Sequence, residues 1–319
     1  MYENIKAIIE NYTLNAFQVA IISAVVSFLT FLFTIIIKNY FENKLHKRKL
    51  ETEHKFNQQK KIKEVLAKYK GHLLSACDDF SQRMWRYYPM VEKDWLKISK
   101  KQSTYTEKGK NYYMHSFIYR YLSVLAWIKI IEKKLIFIDT TLSSKNDLEF
   151  IKFLRVISLL FCELKFSDEV SGTDKYERSH IYRNNLNVLP DTIITKNEIK
   201  SYSEYLEKVY ENLQEPLLRL YEWFDDISPF EDRRRWDRFY LFHLIVIIFL
   251  NNYGYDFQKT DKIKIKQLLD NSHKEVDMNI FFDFLKDYLL DNNKEVNVLQ
   301  KLWQKTKINP LYHKENETQ

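Results

Sequence analysis

The sequence predicts an all-α protein in which one N-terminal transmembrane helix continues into a stalk and then into a cytoplasmic multi-helix bundle. Three observations lead to this prediction. Only four of the 319 residues are glycine and five are proline, which favours long helices with few tight turns. Apolar residues make up 45% of the chain, too large a share for a disordered protein. One long apolar run near the N-terminus is followed directly by basic residues.

The apolar run has the length and composition of a membrane-spanning helix. No charged residue occurs from Asn11 to Ile37, and a bilayer core requires about 20 such residues in helical form. The preceding residues carry both signs of charge, with Glu3 and Glu10 against Lys6, unlike the basic start of a cleavable signal peptide. We therefore expect an anchor that is retained.

Basic residues behind the span set its expected orientation. Between Lys38 and Lys63, nine lysine and arginine residues face only three glutamates. The positive-inside rule then puts the N-terminus outside the inner (cytoplasmic) membrane and the remainder in the cytoplasm. The same charges could contact anionic lipid headgroups, or they could serve only as a topology signal on a solvated stalk. The residues predicted to contact anionic lipid are Lys38, Lys44, Lys47, Arg48 and Lys49.

Small and hydroxyl residues recur along one side of the span. At about 100° per residue they fall within an arc of roughly 80°, so they share one helix face. Such a face lets helices approach closely in lipid, which predicts self-association or contact with a partner transmembrane helix. The alternative is that the hydroxyl groups bond back to carbonyl groups of their own helix. The predicted packing face consists of Ala16, Ala20, Ser23, Ser27, Thr30 and Thr34.

Apolar spacing behind the stalk predicts a helical bundle. A long amphipathic helix contains Ile62 and Tyr87 and is stopped by Pro89. The stretch 167–198 is the least regular, and Pro216 is expected to kink or divide a helix. Further helices are expected at 112–139, 147–166, 201–224, 235–251, 260–270, 279–291 and 295–306. The expected divisions are an extracytoplasmic N-terminus (1–15), the span (16–38), a basic stalk (39–60), the cytoplasmic domain (61–307) and a flexible tail (308–319).

Two further features are expected to be buried. A second apolar run, Phe239–Leu250, contains His243 and is twelve residues long, which suits a core helix rather than a span. We therefore expect its histidine to be a hydrogen-bonded core residue. Cys77 and Cys162 lie in apolar helical stretches without metal-site spacing, so we expect reduced, buried thiols.

One stretch resembles a known family. The segment "LAKYKGHLLSACDDFSQRMW" (66–85) is similar to the pattern Y-x-x-P-L-x-x-A-x-x-L-x-x-R-L, with Tyr69, Leu73 and Ala76 in register. That pattern opens a family of uncharacterised helical proteins of bacteria, fungi and plants, usually behind one N-terminal span. The likeness extends over about 60–251. It implies a fold and a topology, whereas the family supplies no activity.

Polar side chains suggest one candidate pocket. Asp79 and Arg83 are four residues apart on the first bundle helix, which places them side by side. The simpler interpretation of this pair is an ion pair at the boundary of the core. His180, Tyr182 and Arg183 form the best polar group in a loop, and a functional site requires such groups to converge in space. The candidate polar pocket is therefore Asp79, Arg83, His180, Tyr182 and Arg183.

Four arginines cluster around Trp236 in the sequence. Such a cluster could bind phosphate groups of nucleic acid or lipid. Acidic residues lie among the arginines, so the simpler interpretation is a solvated helix start with ion pairs, and nucleic acid is not indicated. The arginines are Arg233, Arg234, Arg235 and Arg238.

No sequence motif assigns a reaction. Walker loops, nucleophile elbows, HExxH and dinucleotide fingerprints are absent from the sequence, so we expect no catalytic residue, cofactor or metal. The sequence favours a membrane-anchored helical module that acts by binding or signalling as an oligomer. The alternatives are a membrane-disrupting effector of the phage-defence type and a membrane-tethered enzyme with its site around Asp79, Arg83, His180 and Arg183.

Replacement of Ser23, Ser27 and Thr30 by leucine is expected to weaken crosslinking between copies of the chain in detergent. Large side chains on this face would keep two helices too far apart to pack. The measurement is the yield of crosslinked dimer. An unchanged yield would contradict the predicted packing face.

Overall fold

The computed structural model describes most of the chain and has an all-α fold, as the sequence predicts. The described residues are 15–98, 102–136, 138–166, 180–231, 234–270 and 278–308. The chain divides into two compact units, Met1–Gln58 and Gln59–Gln319. The predicted extracytoplasmic segment, except its last residue, and the predicted tail, except its first residue, lie outside the described residues.

The helices are defined in chain order. They are α1 (Ala16–Tyr87), α2 (Gln102–Tyr105), α3 (Tyr112–Leu135), α4 (Lys145–Leu159), α5 (Arg183–Val188), α6 (Tyr202–Glu211), α7 (Leu217–Phe224), α8 (Arg235–Tyr253), α9 (Lys262–Asp270), α10 (Met278–Asp287) and α11 (Lys294–Ile308). The only strands among the described residues are β1 (Ile194–Thr195) and β2 (Glu198–Ile199), which pair antiparallel.

The apolar part of α1 has no buried side chain. It is the one described helix that is long and apolar enough to cross a membrane, by length and composition. Phe28, Phe31 and Phe33 are each more than 60% exposed. The Thr30 and Thr34 hydroxyls donate back to the carbonyl oxygens of Val26 and Thr30, each at 2.7 Å. Two hydroxyls of the predicted packing face therefore bond to carbonyl groups of their own helix, as the alternative interpretation expects. Both side chains still lie on that face.

The later part of α1 is amphipathic and forms one side of the core. Its buried residues recur every three or four positions from Ile62 to Tyr87, which confirms the predicted helix. Pro89 follows directly, in a short 3₁₀ segment from Tyr88 to Lys93. Cys77 on this helix is buried as expected, whereas Cys162 is only partly buried.

Several helix boundaries differ from the predicted ones. The helix expected at 147–166 ends at Leu159 and gives way to two 3₁₀ turns, Leu160–Cys162 and Leu164–Phe166. The division expected at Pro216 is confirmed, because α6 ends at Glu211 and α7 begins directly after the proline. The hairpin of β1 and β2 was not predicted. Its turn contains Lys196 at a φ of 60°, in the left-handed region. Lysine is not a residue that signals this conformation in a sequence.

Helix α8 lies in the middle of the core. Every residue from Arg235 to Leu250 is buried, so the prediction of a core helix for the second apolar run is confirmed. Phe242 of α8 packs edge-on against Phe80 of α1, with ring centroids 4.9 Å apart, and against Tyr121 of α3 at 5.2 Å. Each aromatic pair of this kind contributes about 0.5–1.5 kcal/mol beyond the burial of its area.

The interpretation of the arginine cluster as a solvated helix start is wrong for Arg235 and Arg238. Both side chains are fully buried. Arg235 binds the Glu231 carboxylate at 2.7 Å and donates to the carbonyl oxygens of Trp223, Asp225 and Asp226, at the end of α7.

Arg238 plays the same part at a different helix end. It donates to the carbonyl oxygens of Leu160 and Glu163 at 3.0 and 2.9 Å, just after α4. The last carbonyls of a helix lack partners within the helix, and a guanidinium with five N–H groups can satisfy several of them. The arginines therefore lie inside because they cap the ends of helices that pack against α8. Arg233 lies outside the described residues.

Arg235→Gln is expected to lower the free energy of unfolding by about 3 kcal/mol, because it leaves buried carbonyls and Glu231 without their donor. The matched control is Arg219→Gln, which breaks an exposed Arg–Glu pair of the same spacing, with Glu215 2.6 Å away. We expect a loss below about 1 kcal/mol for this control. Urea unfolding of the full-length chain in mild detergent, followed by tryptophan fluorescence, measures both values. Equal losses would contradict the capping role.

Candidate functional site

A polar cavity of about 340 Å³ lies in the unit formed by residues 59–319. Its walls come from α1, α3, the β-hairpin and the start of α6. They carry hydroxyl, imidazole, carboxylate and guanidinium groups together with aromatic rings. The lining residues are His72, Ser75, Ala76, Asp79, Tyr112, Tyr119, Arg120, Ser123, Trp127, Ile199 and Tyr202.

The hairpin brings the start of α6 to α3. The Tyr119 hydroxyl donates to the carbonyl oxygen of Lys200, just after β2, at 2.8 Å. Ser201 then begins α6 with a capping box, in which its hydroxyl accepts from the Glu204 N–H and the Glu204 carboxylate accepts from the Ser201 N–H. These bonds place the Tyr202 ring against Tyr119, with centroids 5.2 Å apart.

Two arginines share one neutral oxygen beside the cavity. The Ser116 hydroxyl oxygen accepts from Nη2 of Arg83 at 2.7 Å and from Nη1 of Arg120. Among the described residues, no carboxylate lies within 4.0 Å of either guanidinium, the limit for an ion pair. Burial, together with the charge of Arg83, lowers the pKa of Arg120. The result is a local excess of positive charge.

Aromatic rings surround the Arg83 guanidinium in place of an acid. Its central carbon lies 5.2 Å from the Tyr112 ring centroid, 5.5 Å from that of Tyr113 and 5.9 Å from that of Phe117. Such cation–π contacts stabilise a cation without cancelling its charge. The same guanidinium also donates to the Tyr112 hydroxyl at 3.0 Å and lowers the pKa of that phenol.

The Asp79 carboxylate is the acid that lines the cavity. Burial raises its pKa, the nearby Arg120 charge opposes that effect, and Asp78 adds to it. The Asp79 side chain is itself exposed at the cavity, and the half-buried Asp78 accepts from the Gln82 amide at 3.0 Å. Asp79 therefore acts as a partial counter-ion to Arg120 across the cavity rather than as a direct ion-pair partner.

Two phenol groups in the walls differ in their accessibility. The Tyr112 hydroxyl accepts from Arg83, which leaves its own proton free to be donated. The Tyr202 hydroxyl is buried and has no hydrogen-bond partner among the described residues, and burial raises its pKa to about 12. The His72 and Trp127 rings, also in the walls, stack with their centroids 4.6 Å apart.

The predicted polar pocket does not form as one site. Asp79 lines the cavity described above, whereas His180 and Tyr182 line a different cavity, of about 320 Å³, beside α7. Arg183 is exposed at the start of α5. The predicted Asp79–Arg83 ion pair is also wrong, because the Arg83 side chain turns away along α3 to Ser116 and Tyr112.

Sequence reasoning missed Arg120, Ser116 and Tyr202. A signal for Arg120 was present, because it is the only charged residue in the stretch 111–128. A lone charge in such a run points to a buried polar partner or a cavity. Tyr202 gave no comparable signal, since it approaches α3 only through the unpredicted hairpin.

The residues predicted to contact lipid lie on an exposed part of α1. Lys38 is 3.9 Å from Glu42 one turn away, and Lys44 lies over the Tyr40 ring at 5.9 Å. Exposure suits both the lipid contact and the solvated stalk, so the lipid contact stays a prediction. Among the described residues, no group of three or more histidine, cysteine, aspartate or glutamate side chains could hold a metal ion.

His243 is a hydrogen-bonded core histidine, as the sequence predicts. Its Nε2 lies 3.0 Å from the Ser81 hydroxyl, and its Nδ1 lies 3.0 Å from the Tyr88 hydroxyl. Burial lowers its pKa from the usual 6.5 to about 3. Between these two pH values the unfolded chain takes up a proton that the folded chain does not, so acidification from pH 6.5 towards pH 3 destabilises the fold.

His243→Asn is expected to make the free energy of unfolding less sensitive to acid. The asparagine can bond to Ser81 and Tyr88 but cannot titrate, which removes up to one proton, or about 1.4 kcal/mol per pH unit, from the slope. Urea unfolding at several pH values between about pH 4 and pH 7 measures the slope for both proteins. The absolute stability of the variant does not enter this comparison. Equal slopes of unfolding free energy against pH in the two proteins would show that His243 does not contribute to the acid sensitivity.

Comparisons of this chain with protein-family models, with curated proteins and with solved structures found no match. The resemblance of residues 60–251 to a family of helical membrane proteins therefore stays a prediction. A function has to be argued from the anchor and the cavity themselves.

Proposed function

We propose that this chain is a single-pass inner-membrane protein whose cytoplasmic helical module acts by binding or signalling, as an oligomer and without catalysis. The observation that carries the proposal is the course of α1. The helix begins in an exposed apolar segment and continues, without a break, to residues that form the core and a cavity wall.

The exposed apolar segment supports the membrane anchor. Burying one large apolar side chain is favourable by about 1.5–3 kcal/mol, and lipid would bury most of those between Phe17 and Ile37. The helix does not stop behind this segment but continues through the basic residues from Lys38 onward. This continuation supports a retained anchor over a cleaved signal sequence, whose apolar core is short and ends at a cleavage site.

The cavity supports binding as the role of the cytoplasmic unit. Arg120 and the Tyr112 hydroxyl are N–H and O–H donors held on packed helices at the wall of one partly open volume. Donors held in place in this way lose little entropy when a small molecule binds. The small-residue face of the span supports self-association, which would bring several such units together at one membrane.

Fractionation of cells that express a C-terminally tagged chain tests the anchor and its orientation. We expect the intact chain in the membrane pellet after an alkaline wash, and we expect the tag to resist protease added to spheroplasts. A tag that is digested in intact spheroplasts, or a shortened chain in the soluble fraction, would contradict the proposal.

A charge variant is the matched control for this experiment. Replacement of Lys44, Lys47, Arg48 and Lys49 by glutamine keeps the apolar segment and removes four of the five positive charges between Lys38 and Lys49. The positive-inside rule predicts that part of the variant inserts in the reverse orientation and so exposes its tag to protease. If the variant kept a single protected orientation, these four charges would not determine the topology.

A further inference from the structure

We propose that the cavity between α1, α3 and α6 binds the oxyanion group, a phosphate or a carboxylate, of a small organic molecule that also carries a planar ring. The inference deepens the proposed function by naming the ligand class of the binding module, and in that sense it rests on that function. Three properties of the cavity support it, namely its charge, its hydrogen-bond donors and its shape.

The charge beside the cavity is not balanced within the described part of the chain. Arg83 and Arg120 both donate to the Ser116 hydroxyl oxygen, a neutral acceptor, and neither is within ion-pair distance of a described carboxylate. Two neighbouring guanidinium groups repel each other, and partial burial weakens the screening of that repulsion by water. Asp79 offsets one of the two charges at most. An anion in the cavity would complete the neutralisation.

The donors around the cavity suit an oxyanion. The Arg120 guanidinium lines the wall and retains N–H groups beyond those of Nη1 that bond to Ser116. The Tyr112 hydroxyl accepts from Arg83 and can donate its own proton to a bound oxyanion.

The size and the aromatic walls of the cavity restrict the rest of the molecule. A volume of about 340 Å³ is near the lower end of the range of small-molecule sites. The stacked His72 and Trp127 rings and the Tyr119 ring offer flat apolar surface beside the donors. A small ring attached to a phosphate or carboxylate fits this combination, because the ring can stack on an aromatic wall while its charged group reaches Arg120.

Calorimetric titration of the purified full-length chain in mild detergent at low salt tests the inference. The probes are phenyl phosphate and benzoate, with inorganic phosphate and acetate as probes of the charged group alone. We expect saturable binding of at least one aromatic probe, with an affinity about tenfold or more above that of its ring-free counterpart. The stronger of the two aromatic probes identifies the charged group. Absence of saturable binding of all four probes by the wild-type chain would overturn the proposal.

Two substitutions of opposite expected effect make the test specific. Arg120→Gln is expected to weaken binding about tenfold or more, because it removes a charged donor. Asp79→Asn keeps the shape of the side chain and removes the competing negative charge, so it is expected to strengthen binding about threefold or more. An unchanged affinity in Arg120→Gln or a weaker one in Asp79→Asn would overturn the assignment, and the second variant stays informative if the first does not fold.

Arg155→Gln is the matched control. Arg155 lines a different cavity and is 3.8 Å from Glu132, so its replacement should leave the affinity for the probes unchanged. The binding assay does not depend on where the protein resides in the cell. If the chain is found in the membrane but binds none of the probes, only the proposed ligand class is contradicted. If the chain binds a probe but is not anchored in the membrane, only the proposed location is contradicted.

Discussion

The apolar side chains from Phe17 to Ile37 are not buried by any described part of the chain, and the proposed role of the protein depends on how they are removed from water. Exposure of so many large apolar groups in water would be unfavourable by tens of kcal/mol, at about 1.5–3 kcal/mol for each side chain. A lipid bilayer removes this cost, and a helix also satisfies every backbone N–H and C=O in the segment. Because α1 continues to Tyr87, an anchored segment would tether the cavity-lining residues of the same helix to a membrane.

The elements that the sequence predicted well are those with a long, regular apolar period. The amphipathic part of α1 from Ile62 and the buried α8 were both recognisable, because burial on one face or on all faces leaves a clear pattern. Arg235 and Arg238 were misjudged for a physical reason. A charge run usually means solvent, but these guanidiniums satisfy carbonyls at the ends of α7 and of α4, and those ends are not adjacent to them in the sequence.

The cavity could be predicted only in part. Asp79 and Arg83 were singled out, but their spacing on one helix suggested a pair that the structure does not form, because Ser116 on α3 competes for the guanidinium. Contacts of this kind depend on which helices meet, and helical periodicity alone does not give that information. Tyr202 reaches the site through a hairpin of two-residue strands, which is too short to leave an alternating pattern in the sequence.

The central claim, that lipid surrounds the first part of α1, can be measured directly with spin labels. Single cysteines would be introduced along the helix in a variant that lacks the two native cysteines, and the full-length chain would be reconstituted in lipid. We expect labels at Ile21, Val25 and Phe33 to relax strongly with oxygen and weakly with a water-soluble nickel chelate. Labels at Leu45 and Phe56 are expected to show the reverse. Equal access of the nickel chelate to all five positions would contradict the claim.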